Sequence, residues 1–359
     1  MREAAIVSTA RTGIGKAYRG AFNATEAPVL AAHVMNAAVE RAGIDPRRID
    51  DIFWGVGNQW GTQGGNAGRM AVFAAGLPQS VPAFTLDRKC GSGLTALALA
   101  ARSIIAGDID VALSGGMESI SLTVNKDAPR FANQSVLANE PHAYMPMIET
   151  AEIVAERYGI SRERQDEYGA MSQQRAEAGL AAGAFAEEIA PITVEKAIFD
   201  KEGNRTGSER VTVTQDEGIR AGTTVEALAG LKTVWKDGQV IKEGRHITAG
   251  NASQLSDGAA AQIVMDRELA QAEGREILGI YRGFQAGGCG PDEMVIGPLF
   301  EIPKLPDHAG LKVADIGLWE LNEAFASQCL YCRDTLGIDP EKYNVNGGAI
   351  AIGHPFGMT

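Results

Sequence analysis

The chain has 359 residues, of which 45% are hydrophobic, and a formal net charge of −12 at pH 7. This length predicts about two packed units rather than one ordinary core. The negative charge argues against general nucleic-acid binding, which depends on clustered Lys and Arg. No apolar run has the length of a membrane span. With four cysteines and charges within the first three residues, we expect a cytoplasmic protein with reduced thiols and no cleaved secretory signal.

Short apolar runs alternate with helical ones through the first third of the chain. The apolar runs are EAAIVST, IDDIFWG, VPAFTLD and DVALSGG, and the helical ones include APVLAAHVMNAAVERAG and LTALALAARSII. This alternation predicts an α/β fold with a largely parallel sheet that helices cover on both faces.

Cys90 lies where the run VPAFTLD gives way to an apolar helix. Gly91 and Gly93 permit a tight turn there. A thiol at this position lies at the positive end of the helix dipole, which would lower its pKa and favour the thiolate. Cysteine is also a common buried residue. From this stretch alone, nucleophilic catalysis and simple packing are about equally supported.

The middle of the chain differs in character. AEIVAERYGISRERQDEYGAMSQQRAEAGLAAG predicts amphipathic helices with Ser161 as an N-cap, and KEGNRTGSER predicts a polar turn. HITAGNASQLSDGAAAQIVM then returns to strand and buried-helix character. We therefore expect an N-terminal domain formed by residues 1–120 and 248–272, an inserted domain of residues 121–247, and a C-terminal domain of residues 273–359.

An internal repeat relates the first and last thirds. AGIDPRRIDDIFWGVGN resembles AGLKVADIGLWELNE, which brings Asn58 opposite Asn322. In the second copy a predicted strand, LWEL, runs directly into Asn322. Open α/β sheets bind ligands at the carboxyl ends of their strands, so Asn322 could hold a water or a carbonyl. N-cap duty is the alternative for Asn322.

The stretch NVNGGAIAIGHPFG presents a histidine at a glycine-rich turn. His354 precedes Pro355, which keeps its backbone extended and suits a base or an oxyanion donor. Cys329 and Cys332 form a C-x-x-C pair, but they lie within a predicted helix and have no second pair, so we expect no metal. The glycines of IDDIFWGVGNQWG have the wrong spacing for a dinucleotide site.

Taken together, DRKCGSGLTAL, ITAGNASQLSDGAAA, WELNEAFA and NVNGGAIAIGHPFG resemble the motifs of the thiolase family in content, order and spacing. The resemblance covers essentially the whole chain. It implies a duplicated five-layered α/β/α/β/α fold with an inserted loop domain that binds coenzyme A and makes oligomer contacts. It also implies a homodimer or homotetramer with no tightly bound cofactor, whose partners are the substrates acyl-CoA and coenzyme A.

The resemblance also implies the roles of three site residues. Cys90 would be the acyl-accepting nucleophile, His354 would activate Cys90 and contribute to an oxyanion hole, and Asn322 would hold the water of that hole. The implied activity is acyl-CoA:acetyl-CoA C-acyltransferase, which is ping-pong thiolysis of 3-ketoacyl-CoA, or the reverse Claisen condensation, through an acyl-Cys90 intermediate. This activity belongs to fatty acid metabolism and β-oxidation.

Four further residues are expected to contact the substrate on the same basis. Ser253 would contact the pantetheine arm of coenzyme A, and Arg220 would lie near its phosphates. Arg220 belongs to a group of basic residues whose alternative interpretation is scattered surface charge. Met147 and Phe325 would line the acyl pocket. Short-chain biosynthetic members resemble His-Met-Gly at the covering loop, where this chain has Pro146, Met147 and Ile148. The pocket should therefore be less polar and favour degradation.

One feature of the family is not found in this sequence. Thiolases carry a second cysteine, in a Cys-x-Gly loop near the C-terminus, that exchanges a proton with the departing acetyl-CoA. No cysteine up to Thr359 has that context. We therefore expect a C-terminal segment to be missing and the activity of these 359 residues alone to be uncertain. The alternatives are a catalytically silent acyl-CoA or lipid-binding protein of the same fold, and a ketosynthase-like condensing enzyme.

Overall fold

A computed structural model describes residues 2–125, 128 and 132–359, apart from the side chains of residues 307 and 308. The principal sheet has seven strands in the order β4-β3-β5-β8-β1-β9, and the short β2 also pairs with β8. Strands β6 and β7 form a separate two-stranded sheet. The strands are β1 Ala4–Arg11, β2 Gly15–Lys16, β3 Asp51–Val56, β4 Ala83–Leu86, β5 Val111–Ser119, β6 Ile192–Phe199, β7 Arg205–Val213, β8 Ser256–Asp266 and β9 Gly279–Ile280.

Helices cover both faces of the principal sheet, and further helices lie in the middle segment. No helix among the described residues is long and apolar enough to cross a membrane. The helices are α1 Ala27–Ala42, α2 Ala67–Ala74, α3 Ser92–Ala106, α4 Ile120–Thr123, α5 Gln134–Asn139, α6 Met147–Arg157, α7 Arg162–Ala181, α8 Val225–Ala229, α9 Arg267–Ala272, α10 Pro298–Glu301, α11 Lys304–Ala309, α12 Ala326–Leu336 and α13 Ala349–Ile352.

The principal sheet is mixed, so the prediction of a largely parallel sheet was wrong. β3 is parallel to both β4 and β5, as the alternation of strands and helices indicated. β8, however, lies between β5 and β1 and is antiparallel to both. A parallel partner would need a crossover connection, whereas β8 follows the long middle segment and enters the sheet from the opposite end. The strand pattern alone does not reveal that direction.

Two apolar clusters lie on opposite faces of the principal sheet. Ile52 and Trp54 belong to the cluster beneath α1 and α2, and the intervening Phe53 belongs to the cluster beneath α3. Successive strand residues point to opposite faces, so this division places β3 in the middle of the domain. α3 contributes Ala96, Ala100 and Ile104 to its cluster, and each large apolar side chain buried this way stabilises the fold by about 1.5–3 kcal/mol.

The middle segment contains the predicted amphipathic helices. Ser161 is the N-cap of α7, and its side chain accepts a hydrogen bond from the Arg164 N–H, which confirms the N-cap prediction. The predicted turn KEGNRTGSER is wrong in its second half, because β7 begins at Arg205. Most of β7 is exposed, and Lys196 pairs with Glu209 across the hairpin. Strand residues that are solvated on both faces lack the apolar alternation by which strands are recognised.

The second copy of the repeat follows the first only in part. A 3-10 turn precedes β3 at Pro46–Arg48, and another occurs at Val313–Asp315. Trp319 then makes a parallel bridge to Tyr343, in the place where β3 pairs with β4. Where the sequence predicted a strand at LWEL, the structure has this isolated bridge instead. β3 has a neighbour on each side, whereas the described residues give Trp319 a bridge on one side only. The five-layered arrangement remains a prediction.

Candidate active site

Cys90 lies in a 3-10 turn, Lys89–Gly91, that joins β4 to α3. Ser92 fixes this turn, because its hydroxyl accepts a hydrogen bond from the Arg88 N–H at 2.8 Å and donates one to the Lys89 carbonyl at 2.7 Å. The Lys89 ammonium reaches the Gly57 carbonyl, 2.7 Å away at the end of β3. The turn is therefore fastened to the carboxyl end of the sheet.

The expectation of a low thiol pKa at Cys90 was wrong. Burial raises the pKa of Cys90 to about 12, and the carboxylate of Glu118 adds to this effect. The Cys90 backbone N–H and the Lys89 ammonium act in the opposite direction but are weaker. Loss of hydration disfavours a thiolate more than the nearby positive groups favour it. In the free protein Cys90 is therefore a neutral thiol that needs a base when it reacts.

Asn322 and His354 lie together. The Asn322 Nδ2 atom is 3.3 Å from His354 Nε2, and His354 Nδ1 is 3.1 Å from Thr359 Oγ1. An amide nitrogen only donates, so Nε2 accepts and the ring proton is on Nδ1. His354 is 2% exposed, and burial lowers its pKa to about 4. The histidine is consequently neutral, with its basic nitrogen facing Asn322.

Thr359 connects His354 with the helix that follows Cys90. The Thr359 carbonyl accepts hydrogen bonds from the N–H groups of Gly93, at 2.8 Å, and Leu94, at 3.3 Å. The structure thus brings all three predicted catalytic residues into one region. Within the described part of the chain, no hydrogen bond joins Cys90 directly to Asn322 or His354. A cavity of about 430 Å³ reaches Asn322, Pro355 and Thr359.

Glu323, which the sequence analysis did not single out, is a buried anchor beside Asn322. Its carboxylate is fully buried and accepts hydrogen bonds from Tyr168, Ser172, Asn344 and the Ile350 N–H, all within 3.2 Å. Burial raises the pKa of Glu323, although these donors favour the ionised form. The only hint in the sequence is that Glu323 directly precedes the apolar residues AFA in WELNEAFA.

The Ser253 main chain lies next to the strand-like segment that follows Asn322. The Ser253 N–H donates to the Ala324 carbonyl at 2.9 Å, and Ala252 forms a bridge with Phe325. One residue further on, the Gln254 carbonyl accepts from the His354 N–H at 3.0 Å. Ser253 is therefore close to the site along the chain, and its side chain is half-buried.

Arg220 lies further out. Its N–H donates to Gln173 at 2.8 Å, and the Gln173 amide in turn contacts the Ile350 carbonyl. Gly218 packs so closely on Ala351 that a Cβ there would lie 2.3 Å from the Ala351 oxygen. The segment is thus fixed near the His354 turn, while the Arg220 side chain is exposed. It remains a predicted phosphate contact.

Met147 and Phe325 share one apolar cluster, which also contains Ile148, Ala252 and Ala324. Met147 begins α6, and Phe325 immediately precedes α12. Two residues predicted to line the acyl pocket are therefore brought together next to Ser253 and Asn322.

Cys332 lies in the same cluster, and burial raises its pKa to about 12. In the described part of the chain, His, Cys, Asp and Glu form no group that could hold a metal ion.

Comparison with known families and proteins identifies the fold. The model of the thiolase N-terminal domain matches residues 4–268, and that of the thiolase C-terminal domain matches residues 275–359. The C-terminal domain is thus present. This finding corrects the expectation of a missing C-terminal segment as far as that domain is concerned. A crystal structure of a Bacillus anthracis acetyl-CoA acetyltransferase has a TM-score of 0.86 at 34% identity, and the match covers 100% of this chain and 89% of that one.

Several characterised proteins are similar along the full chain. A 3-ketoacyl-CoA thiolase of Bacillus subtilis is 44% identical over 360 residues, which cover 100% of this chain and 90% of the relative. A peroxisomal 3-ketoacyl-CoA thiolase B of Rattus norvegicus is 43% identical, with 99% and 81% covered. Two domain models that together match most of the chain, and relatives above 40% identity, leave no other assignment: this chain belongs to the thiolase family.

Proposed function

We propose that this protein is a 3-ketoacyl-CoA thiolase, an acyltransferase of fatty acid β-oxidation that works through an acyl-Cys90 intermediate. The names of the two relatives described above support the substrate class. The observation that carries the proposal is the Asn322–His354 pair, which Thr359 links to the start of the helix following Cys90.

The protonation states of the site define the first step. Cys90 is a neutral thiol and His354 a neutral imidazole in the free protein. As the sulfur attacks the 3-keto carbonyl carbon, the thiol proton passes to His354 and the carbonyl becomes an oxyanion. A water on Asn322 and the imidazolium of His354 stabilise that charge. Donors fixed in advance in a water-poor site supply the largest part of such catalysis.

The remaining steps return the site to its starting state. The oxyanion re-forms a carbonyl, the bond between the second and third acyl carbons breaks, and acetyl-CoA leaves as an enolate. The proton that His354 took up passes to this enolate, and the shortened acyl group stays on Cys90. The thiol of coenzyme A then attacks this thioester, and its proton restores Cys90.

Other parts of the proposal concern the wider molecule. Residues 121–247 form the loop domain that binds coenzyme A and makes oligomer contacts, with Arg220 near the phosphates and Ser253 near the pantetheine. The N-terminal and C-terminal domains share the duplicated five-layered arrangement, the assembly is a homodimer or homotetramer, and the location is cytoplasmic. The apolar cluster of Met147 and Phe325 supports an acyl group longer than acetyl. The silent binding protein and the ketosynthase-like enzyme are the competing functions.

Acyl transfer to Cys90 tests the proposal. The protein is incubated with acetoacetyl-CoA or a longer 3-ketoacyl-CoA, with and without coenzyme A, and its peptides are analysed by mass spectrometry. We expect the Cys90 peptide to carry an acyl group that coenzyme A removes. A binding protein would take up the ligand without acylation, and acylation at another cysteine would refute the assignment of Cys90.

A further inference from the structure

Glu118 is a further buried carboxylate, and it is close enough to the nucleophile for its charge to act on the Cys90 thiol. It is the penultimate residue of the strand β5 and is fully buried. Four neutral donors converge on it: the N–H groups of Gly57 at 2.8 Å and Gly357 at 3.0 Å, and the amides of Gln63 at 2.6 Å and Asn58 at 3.3 Å. No cation is among its partners in the described part of the chain. A buried charge without a counter-ion is costly, so this arrangement calls for an explanation.

The donors come from separate segments that surround the site. Gly57 and Asn58 follow β3, and Gln63 lies in the next turn. Gly357 belongs to the turn GHPFG that carries His354. The chain is tightly packed there: a Cβ at Gly57 would lie 2.6 Å from Glu118 Oε2, and a Cβ at Gly116 would lie 1.8 Å from the Gly357 oxygen. Through its hydrogen bond with the Gly357 N–H, Glu118 connects the end of β5 in the principal sheet to the turn that holds His354.

Glu118 also acts on Cys90 through its charge. It is the largest cause after burial of the raised Cys90 pKa, and burial raises the pKa of Glu118 itself. Lys89 and Asp87 are the other charged groups that act on Cys90, and they work in opposite directions. The charge of Glu118 thus opposes the thiolate, while its hydrogen bonds hold the base that the thiol needs. Removing the charge should therefore make the Cys90 thiol more reactive, whereas losing the hydrogen bonds should slow catalysis.

We infer that Glu118 is a positioning residue for the thiolase reaction, because it fixes the His354 turn against the Cys90 region through its four hydrogen bonds. The inference rests on the proposed function. Glu118 does not touch the reacting atoms: it acts through Gly357 on His354.

The variant Glu118→Gln separates the two effects. It retains the size of the side chain but removes the charge, and its amide N–H₂ faces donors that need an acceptor. We expect kcat to fall by about tenfold or more, since small misplacements of catalytic groups are costly, with KM little changed. We also expect Cys90 to react faster with iodoacetamide at pH 8, because its pKa falls. A loosened fold would instead raise KM and expose several cysteines together.

Glu152→Gln is the matched control. Glu152 is a buried carboxylate on α6 that accepts hydrogen bonds from the N–H groups of Arg245, His246 and Ile247. Its replacement should leave the Cys90 alkylation rate unchanged. If the wild type is active and Glu118→Gln has the same kcat, the inference is overturned. Slower alkylation of Cys90 in Glu118→Gln also overturns it. An inactive wild type counts against the proposed function instead. If Glu118→Gln does not fold, Asn58→Ala removes one donor: kcat should fall several-fold, and unchanged kcat overturns the inference.

Discussion

The two halves of the active site are held in different ways. Cys90 lies in the short turn between β4 and the fifteen-residue helix α3. The regular hydrogen bonds of these two elements fix both ends of the turn, and the side chains of Ser92 and Lys89 fasten it locally. Asn322 and His354 lie in the second copy of the repeat, where the described residues give isolated bridges instead of long strands. There, side-chain hydrogen bonds to Glu323 and main-chain contacts of His354 replace the sheet.

This difference determines how each half should respond to mutation. Backbone geometry that depends on many equivalent hydrogen bonds tolerates the loss of one side chain. A buried carboxylate with several donors does not, since removing it leaves each donor unsatisfied. We therefore expect substitutions within the Cys90 turn to affect chemistry more than stability, and substitutions of the buried carboxylates Glu118 and Glu323 to affect both.

Replacing the nucleophile should have the largest effect. Cys90→Ala should lower the rate of thiolysis by at least about 10⁴-fold, as removal of a covalent nucleophile does in other enzymes. The melting temperature should change little, because the turn is held by Ser92 and Lys89. The rate is measured as loss of 3-ketoacyl-CoA at saturating coenzyme A. Activity within tenfold of wild type would place the nucleophile elsewhere.

Removing the anchor of the second half should mainly reduce stability. Glu323→Ala leaves four buried donors without their acceptor, and we expect a loss of about 4 kcal/mol in the free energy of unfolding. Urea denaturation measures this loss. The exposed Glu320, three residues away, is the control, and Glu320→Ala should cost less than about 1 kcal/mol. Equal losses in the two variants would contradict the anchoring role of Glu323.

The same difference explains what could be predicted from the sequence. The strands around Cys90, the helix α3 and the Ser161 cap follow from apolar periodicity and capping chemistry, which are local. The direction of β8 does not, because pairing partners distant in the chain determine it. The strand β7 was missed because its residues are mostly exposed and lack apolar alternation. The motifs indicated Cys90, Asn322 and His354, and the structure brings them near one another. Glu118 and Glu323 were missed, since nothing local shows that a carboxylate will meet four donors.

The burial of His354 should make stability depend on pH. Its pKa is about 4 in the folded protein and 6.5 when unfolded, so the unfolded chain binds a proton first as the pH falls. His354 therefore stabilises the fold fully above pH 6.5, and about 3 kcal/mol is lost as the pH falls to 4. Asp257, whose pKa burial raises to about 6, has the opposite sign: its contribution is lost as the pH rises toward 6.

The variant His354→Gln isolates the contribution of His354 to the pH dependence of stability, because Asp257, Glu118 and Glu323 are present in both proteins. The difference in free energy of unfolding between wild type and His354→Gln should shrink between pH 7 and pH 4. Urea denaturation at four or five pH values in that range measures it. A difference that stays constant with pH would show that His354 is not kept neutral by burial.

The smallest expected effect concerns the acyl pocket. Met147 packs in the apolar cluster with Phe325, so Met147→His would place a polar ring where an acyl chain is proposed to lie. We expect kcat/KM for a long 3-ketoacyl-CoA to fall about tenfold relative to acetoacetyl-CoA, equivalent to about 1.4 kcal/mol. Met70→His, on the exposed face of α2, should leave this ratio unchanged. If Met147→His lowers kcat/KM for both substrates equally, Met147 supports the fold of the covering segment and does not select the acyl chain.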